Sequence, residues 1–458
     1  MSKTTENKIN KIEKTDEKMT GRGGITFFVK FLINIGIYSI LEEHFGDIRK
    51  NKKGLPVADI FKQIFCWFFD GTSRHISYFD DLAKDSGYAA AIEQPAEKMA
   101  SSHMIKRFCK SFNIFKIWNF RKVLRRLFIW RLEAKKPEVV SIDVDTMVMD
   151  NNEAEVRHGV KPTYKRKKGF QPLQVTWDRV VIDAVFRGGS RHSNHKDTAK
   201  NTVRKVTKQI RSEYRSDVPI LATIDTGFFD QKNFDDFEKD GIFYICGARM
   251  EEEIKEFISS QPKENFGQLK KEDQVWEFLE FGYKYKSWNK SRRFVFCRPM
   301  YENNQMLLEF ERPDTLLVTN ARTDTITEDM PESIQNLLDP ACLISNYHKR
   351  GANELVNRGL KDFGFEEMPF KRFPPNAALY YMLLIAFFLF EIFKEDILHP
   401  VIPLQSYACT VRRKFLDIAA KIVSHAGQIK IKFNSAVFDR LNLQKLWEAC
   451  HSPPFVIA

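Results

Sequence analysis

The chain has 458 residues, enough for two or three hydrophobic cores, and its 43% hydrophobic and 29% charged residues are typical of a soluble globular protein. Seven cysteines, an odd number without any CxxC pair, exclude a disulfide framework and a thiolate zinc site, and they fit a reducing cytoplasm. An excess of 72 Lys and Arg over 60 Asp and Glu gives a net charge of +12, which favours a polyanionic partner.

The N-terminal part of the chain divides into a polar arm and a helical region. Residues 1–24 are polar and charged without the apolar segment of a signal peptide, so we expect a disordered arm in a cytoplasmic protein. Residues 25–135 show apolar positions at helical spacing and are predicted to form a separate all-helical region. Two basic clusters in this region, Arg49–Gly54 and Ser101–Phe112, are candidates for phosphate contacts. A solvated helix surface is the alternative interpretation of each cluster.

Residues 136–250 carry the first part of a predicted mixed α/β sheet. Three consecutive β-type runs, residues 139–150, 170–179 and 180–189, predict three neighbouring strands. A polar helix, an apolar strand, an amphipathic helix and a further strand follow in the sequence. Three strands in a meander followed by alternating helices and strands are typical of RNase H-like nucleases, and we expect that fold class.

The remaining residues are predicted to complete this sheet around an insertion. Residues 251–332 contain mostly short β-type runs and are interpreted as a β-rich insertion. The second part of the RNase H-like core is expected at residues 333–398, and a C-terminal basic region that serves dimerisation at residues 399–458.

One apolar run resembles a membrane span. Residues 377–393 are apolar for about five helical turns apart from Glu391. The run is slightly short, it follows Pro374 and Pro375, and no second span accompanies it. We therefore predict a helix buried in a large soluble core and no contact with a membrane.

Two aspartates share one face of the first predicted strand. In SIDVDT, Asp143 and Asp145 point to one side, and the intervening apolar residues point to the other. A buried unpaired carboxylate costs several kcal/mol, so acids at this position call for a cation. Oxygen ligands without a nearby cysteine favour magnesium or manganese. An exposed strand end with ordinary polar side chains is the alternative.

A third aspartate ends a later predicted strand. Asp225 follows PILATI and precedes Thr226-Gly227. Catalytic groups of open α/β sheets gather at the carboxyl ends of strands, and a glycine there allows the backbone to turn away sharply. We predict a functional role for Asp225, with a helix cap or a turn former as the alternative.

The segment NYHKRGANELVNRGLK, residues 346–361, is predicted to form one helix. At about 100° per residue, four polar side chains fall within an arc of roughly 60° opposite an apolar face. These are Tyr347, Arg350, Glu354 and Lys361. Phosphoryl transfer by two metal ions needs acids to hold the metals and cations to hold the phosphates, and this stripe supplies both.

The same four residues match, without a gap, the signature Y-x2-R-x3-E-x6-K of the third-acid helix in the insertion-sequence-four superfamily. The chain therefore resembles the DDE transposases of bacterial insertion sequences, and in particular the insertion-sequence-thirteen-eighty group. Asp145-Thr146 is similar to the first acid of the family, and DTGFF at Asp225 is similar to the second. Asp143, on the same face as Asp145, is the second choice for the first acid.

This resemblance implies a reaction, a cofactor and a partner. Asp145, Asp225 and Glu354 are expected to hold two Mg²⁺ or Mn²⁺ ions. The implied reaction is hydrolysis of double-stranded DNA at the terminal inverted repeats of a transposon, followed by attack of the freed 3′-hydroxyl on target DNA. A homodimer in the synaptic complex and a place at the bacterial nucleoid are also implied. The alternatives are an RNase H-like nuclease or resolvase that joins no strands, and a domesticated DNA-binding protein without catalysis.

Further DNA contacts are expected around these acids. In the transposases that the chain resembles, the signature Tyr, Arg and Lys contact terminal phosphates, which assigns that role to Tyr347, Arg350 and Lys361. A tryptophan of the insertion stacks on a flipped base, and Trp288 is the best candidate, with a core tryptophan as the alternative. The helical region 25–135 is the expected DNA-binding region. Phosphate contacts are also expected from cations of the stretch 160–170 and from one arginine beyond it: Lys165, Arg166, Lys167, Lys168 and Arg187.

Overall fold

The computed structural model describes residues 9, 11–49, 54–191, 194–271, 274–302, 305–306, 314–364 and 366–457. Residues 1–8 of the predicted arm and residues 50–53 of the basic cluster Arg49–Gly54 lie outside this part of the chain.

An N-terminal helical region follows one short strand. The elements are β1 (Met19–Thr20), α1 (Ile25–Asn34), α2 (Ile37–Phe45), α3 (Val57–Asp70), α4 (Phe79–Leu82), α5 (Ser86–Ala91), α6 (Ser102–Lys110) and α7 (Ile114–Lys135). In β1, Met19 and Thr20 pair with Lys421 and Ala420 near the other end of the chain. The expected disordered arm therefore ends before Met19.

A mixed sheet follows, and the predicted mixed α/β class is confirmed. Its elements are β2 (Val140–Thr146), β3 (Met149–Asp150), β4 (Lys161–Pro162), β5 (Lys168–Phe170), β6 (Leu173–Trp177), β7 (Val180–Val185), α8 (Thr198–Gln209), β8 (Ile220–Ile224), α9 (Gln231–Lys239) and β9 (Phe243–Gly247). β2, β6 and β7 form an antiparallel meander, and β8 and β9 continue the sheet in parallel on the other side of β2. β3, β5 and β4 form a small separate sheet.

The strands that follow β9 enlarge the same sheet. The elements are α10 (Glu252–Ser260), β10 (Gly267–Lys271), β11 (Gln274–Tyr283), β12 (Arg292–Glu302), β13 (Gln305–Met306) and β14 (Thr315–Thr319). β14 pairs antiparallel with β9, and the complete order is β10-β11-β12-β14-β9-β8-β2-β6-β7, with β13 paired to β12. The β-type runs of residues 251–332 are thus joined edge to edge to the central strands.

The C-terminal part of the chain covers the sheet with helices and adds a hairpin. The elements are α11 (Glu332–Gln335), α12 (Pro340–His348), α13 (Gly351–Phe363), α14 (Phe373–Phe393), α15 (Ala408–Val411), β15 (Ala420–His425), β16 (Gln428–Phe433), α16 (Ser435–Arg440) and α17 (Leu443–His451). β15 pairs with both β1 and β16, so this hairpin ties the C-terminal region to the start of the chain.

The predicted single helix over residues 346–361 is wrong, because the segment is divided between α12 and α13. The break lies at Lys349 and Arg350, where the Arg350 N–H donates to the Tyr347 carbonyl, three residues back, at 3.0 Å. Gly351 follows directly, and glycine is a weak helix former. The break places Arg350 at the start of α13.

The prediction of a buried helix at residues 377–393 is confirmed by α14. Every residue from Pro375 to Phe393 is buried. Pro374 and Pro375 occupy the first turn, where a missing backbone N–H leaves no hydrogen bond unmade. In the described part of the chain, Phe373–Leu398 is the one segment long and apolar enough to cross a membrane, and its apolar window is entirely buried in the protein. α1 and α2, which meet at 68°, qualify only if taken together.

The helical region shares its core with the sheet and is not a separate unit as expected. α14 packs against α7, α3 and α1 on one side and against β7 on the other. One hydrophobic cluster contains buried residues of α1, of the sheet and of α14. At its centre Phe120 of α7 stacks on Tyr381 of α14, with ring centroids 5.9 Å apart.

The register of the parallel strands determines where the predicted acids lie. Val144 of β2 is paired with Ile224 of β8. The residues that follow, Asp145 and Asp225, therefore emerge from neighbouring parallel strands at the same edge of the sheet, where ligands of α/β proteins bind.

Candidate active site

Two of the three predicted acids meet around one guanidinium group. Arg350 Nη2 lies 3.4 Å from Asp145 Oδ1 and 3.8 Å from Asp225 Oδ2. The two carboxylates come from adjacent strands, and the arginine comes from the break between α12 and α13. The side chain of Asp225 also accepts a hydrogen bond from the backbone N–H of Thr226 at 2.6 Å, which fixes its orientation.

The charge balance of this site leaves the carboxylates under-compensated. Burial raises the pKa of Asp145 above its ordinary value, nearby Asp225 adds to the rise, and Arg350 opposes it without cancelling it. Burial works against the charge of Arg350, yet Asp145 and Asp225 outweigh it and raise the pKa of that guanidinium. One buried cation shared by two acids leaves a net negative site, and further positive charge would stabilise it.

Asp143 lies on the same strand face, farther from the edge. It is paired with Thr176 on one side and with Thr223 on the other, within the sheet. Its negative charge contributes to the raised pKa of Arg350, after the contributions of Asp145 and Asp225. The position at the strand end belongs to Asp145.

The expectation that Glu354 joins the two aspartates is not met in this structure. Across the described residues, no three His, Cys, Asp or Glu side chains lie close enough together to hold a metal ion. Glu354 is in the first turn of α13, on the same helix face as Arg350, but it is exposed to solvent. A third carboxylate beside an acid pair that has only one cation would be repelled, so solvation is favoured.

Tyr347 contributes a neutral phenol next to Arg350, with which it is hydrogen-bonded. Burial raises the pKa of Tyr347 to about 12, so its hydroxyl keeps its proton at neutral pH. A Cβ at Gly247 would lie 2.7 Å from that hydroxyl, so this close approach requires glycine at the end of β9.

Lys361 is not brought to the acid pair. It lies eleven residues after Arg350, about 16 Å along the helix. Its Nζ is 3.0 Å from Glu366 Oε2, in a polar cleft of about 430 Å³ that Arg74 and Asp150 also line.

The basic stretch 160–170 forms a hairpin whose cations fall into two pairs. β4 and β5 are its strands, and the backbone N–H of Thr163 donates to the Lys167 carbonyl at 2.8 Å across the turn. Lys167 binds Asp150 at 2.5 Å and Lys168 binds Glu155. Lys165 and Arg166, at the tip, are exposed, and the described residues show no acidic partner for either.

Tyr164, which the sequence analysis did not single out, lies at the tip of the same hairpin. Its hydroxyl is hydrogen-bonded with the Thr146 side chain, beside Asp145. Partial burial, together with the charges of Asp145 and Asp225, raises the pKa of Tyr164. The side chain as a whole is 62% exposed. No local pattern indicated this role, because the contact joins a loop to a distant strand.

The structure corrects the interpretation of Trp288. Its side chain is 7% exposed and packs in an aromatic cluster with Phe229, Phe234 and Tyr285. The Arg292 guanidinium lies over its ring at 4.8 Å from the centroid. The indole is a core residue here, and its faces are covered, so it cannot stack on a nucleobase in this conformation.

Arg187 is likewise buried rather than presented to a phosphate. It is 6% exposed, its Nε donates to the Gln171 carbonyl at 3.1 Å, and burial lowers its pKa to about 10. The position is held next to β5 by an isolated bridge between Phe170 and Gly188.

Asn357 is a site residue that sequence reasoning missed. Its Nδ2 donates to Asp145 Oδ2 at 3.3 Å, while Arg350 contacts the other oxygen of that carboxylate. The signal was present, because a residue seven positions after Arg350 lies about 20° from it on a helix.

The residues of the site fit a divalent cation. Asp145 and Asp225 offer carboxylate oxygens to one point, and no sulfur ligand is part of the group. The side-chain oxygen of Asn357 is buried without a donor. Such a set of hard oxygen atoms in a net negative environment is what Mg²⁺ and Mn²⁺ prefer.

Comparison with known proteins gives one family and one distant structural similarity. The family described as transposase DDE domain group 1 matches residues 2–452. No curated protein sequence matches the chain. A cryo-EM structure of a piggyBac transposase synaptic complex with hairpin DNA is similar with a TM-score of 0.39 and 15% sequence identity, over 88% of this chain and 82% of that chain. A similarity of this extent carries no functional weight.

Proposed function

The chain belongs to the transposase DDE domain group 1 family, and on that premise we propose that it is the DNA transposase of an insertion sequence. It cuts transposon ends by metal-dependent phosphodiester hydrolysis and joins the freed 3′-hydroxyl to target DNA. The observation that carries this proposal is the meeting of Asp145 and Asp225 around Arg350 at the carboxyl ends of two parallel strands.

Support for a phosphate ligand comes from Arg350 itself. Its Nε is buried without a hydrogen-bond partner, although Nη2 is held by the two aspartates. A buried N–H without an acceptor costs about 1–3 kcal/mol, and charge-assisted binding of a phosphate oxygen would satisfy it. The neutral hydroxyl of Tyr347, beside it, is a second donor for the same anion.

The roles of the acids follow from their positions. Asp145 and Asp225, with Glu354 as the third acid, would hold two Mg²⁺ or Mn²⁺ ions. These ions would supply the positive charge that phosphodiester hydrolysis and strand transfer require. Arg350 and Tyr347 orient the scissile phosphate, and Lys165 and Arg166 bind the backbone of the DNA near the rim of the site.

The finer classification is part of the same proposal. We assign the chain to the insertion-sequence-four superfamily and its thirteen-eighty group, on the signature that ends at Lys361. β7-β6-β2-β8-β9 would be an RNase H-like core, to which the insertion adds strands. A synaptic homodimer at the bacterial nucleoid, with DNA bound by the helical region 25–135, completes this assignment.

A strand-transfer assay tests the function. The purified chain is incubated with Mg²⁺, a labelled duplex carrying the inverted repeats that flank the open reading frame, and a supercoiled target plasmid. The proposal expects labelled plasmid, in which the 3′-end of the duplex has been joined. Cut duplex without labelled plasmid would indicate a nuclease or resolvase, and binding without cutting would indicate a domesticated DNA-binding protein.

The two hairpin-tip cations are expected to carry part of the DNA affinity. Lys165→Glu combined with Arg166→Glu should weaken binding by about 10- to 100-fold near 0.1 M salt, because each lost phosphate contact releases fewer counterions. The slope of log affinity against log salt should fall by about two. Fluorescence anisotropy with a labelled duplex between 50 and 200 mM salt measures both quantities.

A double variant with the same change of charge serves as control. Lys239 and Lys445 are exposed, and the described residues show no acidic partner for them. Lys239→Glu combined with Lys445→Glu should leave the salt slope unchanged. Equal losses in the two double variants would mean that net charge, and not the hairpin, governs the affinity.

Arg350→Ala is expected to slow DNA cleavage by about a hundredfold, because the site loses both the cation between the aspartates and the buried N–H donor. Arg350→Lys keeps the charge but not the planar fork, so it should recover less than a tenth of the wild-type rate. Single-turnover cleavage with saturating enzyme measures the effect. A full rate in Arg350→Lys would show that the charge alone is needed.

A further inference from the structure

Asn357 clamps the first acid of the site together with Arg350. Its Nδ2 lies 3.3 Å from Asp145 Oδ2, and Arg350 Nη2 lies 3.4 Å from Asp145 Oδ1. Both residues lie on one face of α13 or at its start, seven positions apart. The two donors leave the carboxylate little freedom to rotate.

The other end of the Asn357 side chain is unsatisfied. Its Oδ1 is buried and accepts no hydrogen bond from any described residue. A buried acceptor in this condition costs about 1–3 kcal/mol. The neighbouring groups make the cost larger, because Asp145 and Asp225 surround the oxygen with negative charge and offer it no proton.

A cation satisfies this oxygen better than any group now near it. Amide carbonyl oxygens are regular ligands of hard divalent ions, alongside carboxylates. An amide also adds an oxygen without adding negative charge, which matters beside an acid pair that is already under-compensated. Glu354, one turn earlier on the same helix, would add a third negative charge.

We propose that Asn357 is a metal ligand, and that its amide oxygen binds the same divalent ion as Asp145 and Asp225. This inference rests on the metal-dependent function proposed above. It assigns the two ends of one side chain to different tasks. The N–H holds Asp145 in place, and the carbonyl oxygen binds the ion.

Mn²⁺ binding to the full-length protein, without DNA, tests the assignment. Free Mn²⁺ is measured by its electron paramagnetic resonance signal during a titration of wild type and variants. Asn357→Leu has nearly the same shape but neither polar end, and it should weaken Mn²⁺ binding about tenfold. Asn357→Asp keeps an oxygen and loses only the N–H, so its affinity should equal or exceed that of wild type.

The aspartate variant separates a ligand from a positioning residue. If Asn357 acted only through its N–H to Asp145, Asn357→Asp would be at least as damaging as Asn357→Leu, and the proposal would be wrong. Unchanged affinity in Asn357→Leu would also overturn it, and would indicate that a water molecule satisfies the oxygen.

Two controls keep the result specific to the site. Asn346→Leu makes the same change on α12, where the amide donates to the Cys342 carbonyl, and it should leave Mn²⁺ affinity unchanged. Thermal unfolding checks that each variant is folded. If wild type binds no Mn²⁺, the proposed metal-dependent function fails together with this inference. If wild type binds and Asn357→Leu binds equally, only this inference fails.

Discussion

Replacing Asp145 by asparagine is expected to slow metal-dependent cleavage of transposon-end DNA by at least about a thousandfold, which corresponds to about 4 kcal/mol of transition-state stabilisation. The amide has the size of the carboxylate but lacks the charge that a divalent ion requires. Asp225→Asn should have the same effect. DNA binding should persist in both variants, because the phosphate contacts come from cations. Single-turnover cleavage in Mg²⁺ and in Mn²⁺ measures the rate, and a gel shift measures the binding.

The neighbouring aspartate is the matched control. Asp143→Asn makes the same chemical change on the same strand face, two residues from the edge, and should leave the rate within about threefold of wild type. If Asp143→Asn abolished cleavage while Asp145→Asn did not, the first acid would be Asp143. Glu354→Gln applies the same test to the exposed third acid, and a full rate in this variant would remove Glu354 from the site.

The acid pair was predictable because it rests on short-range patterns. Alternation along SIDVDT puts Asp145 on a defined face, and the glycine turn after Asp225 marks the end of a strand. A parallel pair of strands then brings the two ends together, as the register of Val144 with Ile224 does. Arg350 was predictable for the same reason, because helical spacing sets its direction even across the break before α13.

The wrong or incomplete expectations depend on contacts between distant parts of the chain. Trp288 and Arg187 belong to sequence segments that read as surface, and their burial follows from Phe229 and Phe234 in one case and from β5 in the other. The partner of Lys361 is an acid just beyond its own helix, Glu366. Periodicity describes one element at a time, so it cannot supply these partners.

The independence of the helical region was the largest error of this kind. Its apolar periodicity predicted helices correctly, but the same pattern does not show whether their apolar faces cover each other or a neighbouring sheet. The contact is marked by charged residues that a sequence pattern would assign to the surface. Arg121 and Arg125 of α7 both bind Asp183 of β7, and Asp183 is fully buried.

Asp183→Ala is expected to lower the free energy of unfolding by about 3–5 kcal/mol, because it leaves buried arginine without a counter-charge. Asp183 Oδ1 lies 2.6 Å from Arg121 Nε, and Oδ2 lies 2.7 Å from Arg121 Nη2 and 3.0 Å from Arg125 Nη1. Arg121 is 3% exposed, so water cannot replace the lost carboxylate. Urea unfolding followed by circular dichroism measures the change.

A compensated variant distinguishes the lost charge from the lost volume. Asp183→Leu with Arg121→Met and Arg125→Met removes all three charges and fills the space with apolar side chains, so its stability should return to within about 1 kcal/mol of wild type or exceed it. Equal instability in Asp183→Ala and the triple variant would mean that the hydrogen bonds of the cluster matter more than its charge balance. Wild-type stability in Asp183→Ala would contradict the idea that this cluster holds α7 on the sheet. Recovery in the triple variant would show that α7 and β7 form one core through packing, with the ion cluster fixing only how the two elements meet.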